Sequence, residues 1–301
     1  MTIKFDAADN RKKILASPTY SMAEDDAEFI KSGPLRPVRV AMELMKAESV
    51  QQQEKIVATI VVFGGTRIVE RARAELLALE AKEALARSPG NPQLQATAML
   101  AEGRVQRSRY YDDARDFARI VTEACACGTC PEFVITTGGG PGVMEAANRG
   151  ARDAGGRTMG LNITLPTEQE PNPYITPELC LQFHYFAVRK INFLVRARAL
   201  VAFPGGYGTL DELFETLTLI QTGVMERVPV VLFGSAWWKR LINFEVLVEE
   251  GMIAPQDLGL FTYADSAKEA WEAIRSFYAA RGMAVEGSPL HPWTRRPTTA
   301  H

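Results

Sequence analysis

Two glycine-rich segments are the residues of this sequence best suited to chemistry. The first reads Thr136-Thr-Gly-Gly-Gly-Pro-Gly-Val-Met-Glu145, and the second reads Phe203-Pro-Gly-Gly-Tyr-Gly-Thr-Leu-Asp-Glu212. Each lies between a predicted strand and a predicted helix, where glycine allows a tight turn and a close approach of a ligand to the backbone. Because free N–H groups at helix N-termini bind anions, the pair predicts one phosphate site shared by both segments. The alternative is that both are only tight turns.

Neither segment completes a standard nucleotide-binding fingerprint. The last position of G-x-G-x-x-G is Val143 in the first segment and Asp211 in the second, and the chain contains no Gly-Lys pair for a P-loop. An NAD-type oxidoreductase therefore has only fold analogy in its favour, and a P-loop NTPase is disfavoured.

Charged residues near the second segment suit a phosphate-bearing ligand. Arg189 and Lys190 form a basic pair, and an arginine can bind a phosphate through two parallel hydrogen bonds. Glu212 has two interpretations: a carboxylate at the mouth of the site, or the third helical residue of a capping box begun by Thr209. The basic pair could equally form a solvated helix face, and Glu215 could serve as an ion-pair partner.

Strands and helices alternate along most of the chain. Apolar β-branched runs that end in glycine are typical of buried parallel strands, and alternating strands and helices form βαβ units. We therefore predict an α/β fold, a Rossmann-like doubly wound parallel sheet flanked by helices, with extra N-terminal and inserted helices. The predicted strands are 56–63, 133–137, 158–163, 199–203 and 228–233. The predicted helices are 69–87, one or two over 93–126, 141–154, 186–198, 209–222, 237–250 and 266–281.

Composition divides the chain and limits its partners. We predict an N-terminal helical extension over 1–54, an α/β domain over 55–285 with a helical insertion near 69–108, and a flexible polar tail over 286–301. The 34 basic and 36 acidic residues give a net charge of −2, which offers no general attraction for nucleic acid or an anionic membrane. The apolar runs are far shorter than the roughly 20 residues that span a bilayer, and no signal peptide is evident. We expect a cytoplasmic protein.

Three of the four cysteines form a C-x-C-x-x-C cluster at Cys125, Cys127 and Cys130. A tetrahedral zinc site needs a fourth ligand, which only Cys180 or a histidine could supply. Disulfides are rare in the cytoplasm. We interpret the cluster as small, partly buried thiols at a helix end and predict no metal.

The second glycine segment resembles the PGGxGTxxE signature of the Lonely Guy (LOG) family, nucleoside 5′-monophosphate phosphoribohydrolases that activate cytokinins. Residues 138–148 resemble the other glycine loop of that family, and Arg189 precedes Glu212 by 23 residues, as in the family's Arg-Lys pair. The resemblance covers roughly residues 55–235. Gly64-Gly-Thr-Arg67 stands where a Gly-Ser-x-Arg loop is expected, and the length of the chain resembles the larger bacterial branch.

The resemblance implies hydrolysis of the N-glycosidic bond of AMP, or of an N6-substituted AMP such as a cytokinin ribotide, to free base and ribose 5-phosphate. It implies a small-molecule nucleotide substrate, no cofactor, no metal, and a homodimer or larger even homo-oligomer. Glu212 would stabilise the ribose cation or activate water, and Arg189 would orient it and the substrate. The implied substrate- and phosphate-binding residues are Gly139, Gly140, Lys190, Gly205, Gly206, Tyr207, Gly208, Thr209 and Thr218.

Two other functions are weighed against this one. A non-catalytic nucleotide-binding or molybdenum-cofactor carrier protein of the same fold would also bind a phosphate-bearing ligand at the glycine loops. Proteins of the LOG family have also been described as lysine decarboxylases. That description has no support in this sequence, because the decarboxylase chemistry usually needs a lysine that forms a Schiff base with pyridoxal phosphate. None of the lysines after residue 60 follows a histidine: Lys82, Lys190, Lys239 and Lys268.

Overall fold

The computed structural model describes residues 5–126, 133–166 and 170–282, and their contacts divide the chain into two units. The first unit ends at Glu48 and contains α1 (Ala7–Leu15), α2 (Ala27–Lys31) and the first part of α3 (Arg36–Gln53). Asp6 caps α1 by accepting a hydrogen bond from the backbone N–H of Ala8. The helical character predicted for the N-terminal residues is present.

The second unit, from Ser49, is built on a seven-stranded parallel sheet in the order β4-β3-β2-β1-β5-β6-β7. The chain builds one half outwards from β1 and then crosses to build the other half from β5. The predicted α/β fold with its doubly wound parallel sheet is confirmed. The strands are β1 (Ala58–Phe63), β2 (Phe133–Thr137), β3 (Thr158–Ile163), β4 (Cys180–Phe183), β5 (Ala197–Ala202), β6 (Val230–Phe233) and β7 (Phe261–Ala264).

Helices cover the sheet, and every residue of β1, β2 and β6 is buried. Burial on both faces explains why these strands consist of continuous apolar runs rather than alternating patterns. The helices are α4 (Arg71–Arg87), α5 (Pro92–Arg107), α6 (Arg109–Ala126), α7 (Val143–Asp153), α8 (Phe186–Leu194), α9 (Tyr207–Gln221), α10 (Ser235–Leu241), α11 (Phe244–Glu249) and α12 (Ala267–Ala279), with 3-10 turns at Pro18–Tyr20, Gly33–Leu35, Pro177–Leu179 and Pro255–Leu260. None of the helices in the described parts of the chain is long and apolar enough to cross a membrane.

Two strands of the sheet, β4 and β7, were not predicted. Both are four residues long, lie at the edges of the sheet and are only partly buried. A short edge strand needs no continuous apolar run, because one side of it faces away from the sheet. The pattern that identified the central strands is therefore absent from them.

The helix predicted over 186–198 is too long. It ends at Leu194, and β5 begins at Ala197 because the backbone there pairs with β1: the Thr59 N–H donates to the Arg196 carbonyl over 2.9 Å. The sequence favours helix here by composition, but pairing in the sheet overrides that local preference.

Two other predicted helix boundaries are wrong. The helix predicted over 237–250 is two helices, α10 and α11, because Ile242 is extended, with φ −134° and ψ 123°. The helix predicted from residue 141 begins at Val143, because Gly142 has φ +76°. That angle lies outside the right-handed helical region and is readily adopted only by glycine.

α7 packs closely against α6 because Gly150 carries no side chain. A Cβ atom at this position would overlap the backbone carbonyl oxygen of Arg115. α7 follows the first glycine segment directly, so this contact fixes the helix that the segment leads into.

We predict that Gly150→Ala lowers the free energy of unfolding by about 1–3 kcal/mol, because the two helices must separate to admit the methyl group. The matched control is Gly103→Ala in α5, where the new atom meets only the flexible end of Arg107. That change should preserve stability or raise it by up to about 1 kcal/mol through helix propensity. Urea unfolding of both variants provides the measurement, and a Gly150→Ala variant as stable as the wild type would contradict the packing argument.

Candidate functional site

Three strand-to-helix connections meet where the chain crosses from one half of the sheet to the other. They follow β1, β2 and β5, and direct backbone hydrogen bonds join them. The Gly65 N–H donates to the Pro204 carbonyl over 2.9 Å, and the Val143 N–H donates to the Gly65 carbonyl over 3.2 Å. A Cβ atom at Gly142 would overlap that same carbonyl of Gly65. The glycines are therefore required for the close packing of the connections, and the shared site predicted from two segments involves a third.

A cavity of about 290 Å³ opens at this meeting point. This is the crevice at the carboxyl edge of an open parallel sheet where such folds bind ligands. Its lining combines one carboxylate, one guanidinium, an amide and two hydroxyls with a larger apolar surface. The polar side chains are Thr66, Asn162, Arg189, Thr209 and Glu212, and the apolar ones are Phe63, Met144, Ile163, Leu165, Phe186 and Phe193.

Glu212 lies in the second turn of α9 with only 4% of its surface exposed. Burial raises the pKa of its carboxyl group from 4.5 to about 7, although Lys190 and Arg189 counteract part of the shift. The capping-box interpretation is wrong: the cap residue of α9 is Gly206, and Thr209 lies inside the helix, with its N–H donating to the Gly206 carbonyl. The carboxylate of Glu212 therefore does not cap the helix.

Arg189 projects from α8 into the same cavity. Its Nη2 lies 3.9 Å from Glu212 Oε1, and its guanidinium lies over the rings of Phe186 and Phe193, 5.1 and 5.5 Å from their centroids. Its Nε is buried and has no hydrogen-bond partner among the residues that the structure describes. Burial lowers the pKa of the guanidinium, against the attraction of Glu212 and Asp211. Donors remain available to an anionic ligand.

Lys190 faces the acids of α9 rather than the cavity. Its Nζ lies 2.8 Å from Asp211 Oδ2, 2.9 Å from Glu215 Oε2 and 3.7 Å from Glu212 Oε2. Burial lowers the pKa of Lys190, but the hydrogen bonds to Asp211 and Glu215 outweigh it, so the pKa is raised. Lys190 therefore contacts Glu212 from outside the lining of the cavity. The ion-pair role suggested for Glu215 is present, with Lys190 as its partner.

The glycine segment after β5 supplies part of the cavity wall. Gly206, Gly208 and Thr209 line the cavity at the N-terminus of α9, and Gly205 packs so closely on Thr209 that a Cβ atom would overlap the Thr209 hydroxyl. Free backbone N–H groups at the first turn of a helix suit a phosphate. The structure thus brings four of the predicted phosphate-binding residues together.

Other predicted residues lie away from this cavity in the single chain. Tyr207 is 92% exposed, and it lines a separate, open groove along α9 together with Thr218 and Lys190. Of the first glycine segment, Gly138 lines the cavity, whereas Gly139 and Gly140 are engaged elsewhere. The Gly139 N–H donates to Thr137 Oγ1 over 3.0 Å.

Sequence reasoning missed several residues that line the cavity. Gly64 and Gly65 were noted only as a departure from a family loop, and Asn162, Met144 and Phe186 were not considered. A usable signal existed for Asn162, because it lies near the end of β3, and the carboxyl ends of parallel strands share one edge of the sheet.

The described residues contain no group of three potential metal ligands. Cys125 is half-buried at the end of α6, and Cys127 and Cys130 of the predicted cluster lie outside the described residues. Cys180 accepts a hydrogen bond from Asn162 Nδ2 over 3.4 Å, and burial raises the pKa of its thiol.

We predict that Glu212→Gln gains stability relative to the wild type as pH rises. The folded wild type holds the Glu212 proton up to about pH 7, whereas the unfolded chain releases it near 4.5. The free energy of unfolding of the wild type therefore falls as pH rises between these values. The Glu212→Gln variant has no proton to release at this position, so its free energy of unfolding does not fall for this reason. Between pH 5 and pH 8 the variant should gain on the order of 2 kcal/mol. Denaturant unfolding at both pH values tests this, with the exposed Glu178→Gln as control; parallel behaviour of the two variants would contradict the desolvation of Glu212.

Comparison with known proteins gives four similarities. A family model described as "Possible lysine decarboxylase" matches residues 144–274. The probable cytokinin riboside 5′-monophosphate phosphoribohydrolase LOG4 of Oryza sativa subsp. japonica is 30% identical over 157 residues, which are 51% of this chain and 67% of that protein. The cytokinin riboside 5′-monophosphate phosphoribohydrolase LOG3 of Arabidopsis thaliana is 28% identical over 147 residues, which are 48% of this chain and 67% of that protein. The solved molybdenum cofactor carrier protein of Chlamydomonas reinhardtii is 19% identical, covers 74% of this chain and 98% of its own, and has a TM-score of 0.41.

Proposed function

The chain belongs to the LOG family, and from that premise we propose that it is a nucleoside 5′-monophosphate phosphoribohydrolase. The substrate would be AMP or an N6-substituted AMP, and the products would be the free base and ribose 5-phosphate. The observation that carries the proposal is Glu212, a buried carboxylate beside Arg189, in the wall of a cavity formed by glycine loops.

The chemistry of the N-glycosidic bond suits these two side chains. Cleavage of that bond builds positive charge on the ribose, as in other glycoside hydrolyses, and a nearby carboxylate stabilises it. A carboxyl group with a pKa of about 7 can also accept a proton at neutral pH. Glu212 therefore has the charge and the proton affinity that the reaction requires.

In the proposed step, the oxygen of a water molecule forms a bond to C1′ while the bond between C1′ and the base nitrogen breaks. The base leaves with the bonding electron pair, and Glu212 accepts the proton that the water loses and passes it to the departing base, directly or through solvent. Arg189 contributes donors to the ribose or phosphate, and the N-terminus of α9 at Gly206, Gly208 and Thr209 holds the phosphate. Water is the only co-reactant.

We propose a supporting role for Lys190, because it contacts Asp211 and Glu215 and is not among the residues that line the cavity. It would lower the pKa of Glu212 and hold the first turns of α9 against α8. Gly139 and Gly140 would shape the wall of the cavity rather than bind phosphate directly.

An even homo-oligomer stays a prediction. Exposed aromatic side chains support it, because Phe186 in the cavity wall is half exposed and Tyr207 in the open groove along α9 is 92% exposed. In such an assembly, Tyr207 and Thr218 would contact substrate bound to a neighbouring subunit.

Product release tests the proposed activity. The purified protein is incubated with AMP, GMP, CMP, UMP and isopentenyl-AMP, and with the matching nucleosides, and the free base is separated by chromatography. We expect base from one or more monophosphates and none from the nucleosides, because the phosphate is the group that the glycine loops hold. No release from any monophosphate would overturn the enzymatic proposal in favour of a nucleotide-binding protein.

We predict that Glu212→Gln lowers kcat by at least about 100-fold, because the amide can neither accept the proton nor balance the ribose cation. The exposed Glu178→Gln is the matched control and should retain wild-type turnover. Circular dichroism of both variants checks that they fold. Turnover of Glu212→Gln near the wild-type rate would remove Glu212 from the chemistry.

We predict that Lys190→Met moves the acid limb of the pH profile upwards. The wild-type kcat/KM should rise with pH through about 7 as Glu212 ionises. Loss of the cation 3.7 Å from Glu212 leaves the neighbouring Asp211 and Glu215 unneutralised, which disfavours ionisation of Glu212. The measurement is kcat/KM against pH, and Lys82→Met is the control, since Lys82 pairs with Glu102 on an exposed surface. An unchanged limb would show that Lys190 does not act on Glu212.

A further inference from the structure

We propose that Asn172 is a positioning residue that fixes the glycine loop after β2 and, through the contact of Gly139 with Asn162, the neighbouring wall of the cavity at the end of β3. This inference rests on the proposed function and adds to it a residue outside the lining of the cavity. Asn172 lies between two prolines, in Glu170-Pro-Asn-Pro173, and is 7% exposed.

The amide of Asn172 donates into a group of three oxygen atoms. Its Nδ2 lies 3.2 Å from the Gly139 carbonyl, 3.0 Å from the Gly140 carbonyl and 2.9 Å from Asn148 Oδ1. The Asn172 backbone N–H also donates to the Gly139 carbonyl over 2.9 Å, and its Oδ1 accepts from the Tyr174 N–H. One residue therefore holds both carbonyls of the glycine loop.

A buried chain of hydrogen bonds carries this anchor into the sheet. The Thr137 hydroxyl donates to Asn148 Oδ1 over 2.7 Å, Asn148 Nδ2 donates to Thr158 Oγ1, and the Thr158 hydroxyl donates to the Ile135 carbonyl over 2.9 Å. Thr137, Asn148 and Thr158 are fully buried. Each hydroxyl group in this network donates to one acceptor, and the side-chain amides of Asn148 and Asn172 both donate and accept. All these buried polar groups therefore have hydrogen-bond partners, and such networks make their surroundings rigid.

The glycine loop that Asn172 holds is also part of the cavity wall. Gly138 lines it, and a Cβ atom there would lie 3.9 Å from Nη1 of Arg189. Asn162 and Leu165, at the end of β3 and just after it, line the adjoining wall. A Cβ atom at Gly139 would overlap the side-chain amide of Asn162, so a shift of the glycine loop that Asn172 holds also displaces Asn162.

The contacts require an amide donor at this position. An aspartate has the same size, but it would place a carboxylate against three oxygen acceptors, and they would repel one another. The flanking prolines restrict the backbone on both sides, which lowers the conformational entropy that the segment loses when it docks.

Asn172→Asp tests the proposal. We expect the KM for the nucleotide substrate and the inhibition constant of ribose 5-phosphate to rise about tenfold or more, because a misplacement of about 1 Å in a positioned site has effects of that size or larger. Amide hydrogen exchange in peptides covering 134–144 should also accelerate, since the Gly139 N–H is held by the same network.

A control separates positioning from general stability. Val121→Ala removes two methyl groups from the fully buried core beside α6, and it should lower the melting temperature without changing KM, the inhibition constant or exchange in 134–144. Asn172→Asp is compared with it well below both melting temperatures. An inhibition constant within twofold of the wild type, or unchanged exchange, would overturn the positioning role.

The outcomes keep the two proposals distinct. If the wild type releases base and Asn172→Asp binds ribose 5-phosphate normally, only the role of Asn172 fails. If the wild type releases no base, the proposed function fails, and the exchange measurement still decides whether Asn172 holds the glycine loop.

Discussion

The close contact of three backbone loops is the constraint on which the site depends. Gly65 donates to the loop after β5 and accepts from the start of α7, so the connections after β1, β2 and β5 form one unit. These hydrogen bonds require the loops to approach within a distance that leaves no space for side chains at Gly64 or Gly142. The sheet order makes this possible, because β1 lies between β2 and β5. The cavity and the helix N-termini around it follow from that arrangement.

The two cations near Glu212 differ in how far their charge is already neutralised. Lys190 contacts three carboxylates, while Arg189 has one carboxylate at 3.9 Å and a buried Nε without a partner among the described residues. A buried, incompletely paired guanidinium is costly unless a ligand supplies the missing acceptors. Arg189 therefore has unused capacity for hydrogen bonds to an anion, whereas the charge of Lys190 is already matched by carboxylates.

Sequence alone predicted the central strands and both glycine segments, because these depend on local patterns, whereas the pairing of Arg189 with Glu212 was implied by the resemblance to the LOG family. The spacing of 23 residues between them runs along α8, through β5 and into α9, and this helix–strand–helix connection brings the N-terminal parts of both helices to the same edge of the sheet. The end of α8 and the edge strands β4 and β7 could not be predicted, since they depend on pairing with distant strands. Asn172 and Asn148 were missed for a related reason: they are 24 residues apart, and their hydrogen bond exists only after β3 is in place.

The chemistry of the site also bears on the description "Possible lysine decarboxylase" of the matching family model. A lysine that forms a Schiff base must lose its proton, which burial away from other charges favours. Lys190, the lysine nearest to Glu212 among the described residues, has the opposite environment, because hydrogen bonds to Asp211 and Glu215 raise its pKa and keep it protonated. The group at the cavity with a pKa shifted towards neutrality is instead the carboxyl of Glu212. The electrostatics thus favour carboxylate chemistry over amine chemistry at this cavity.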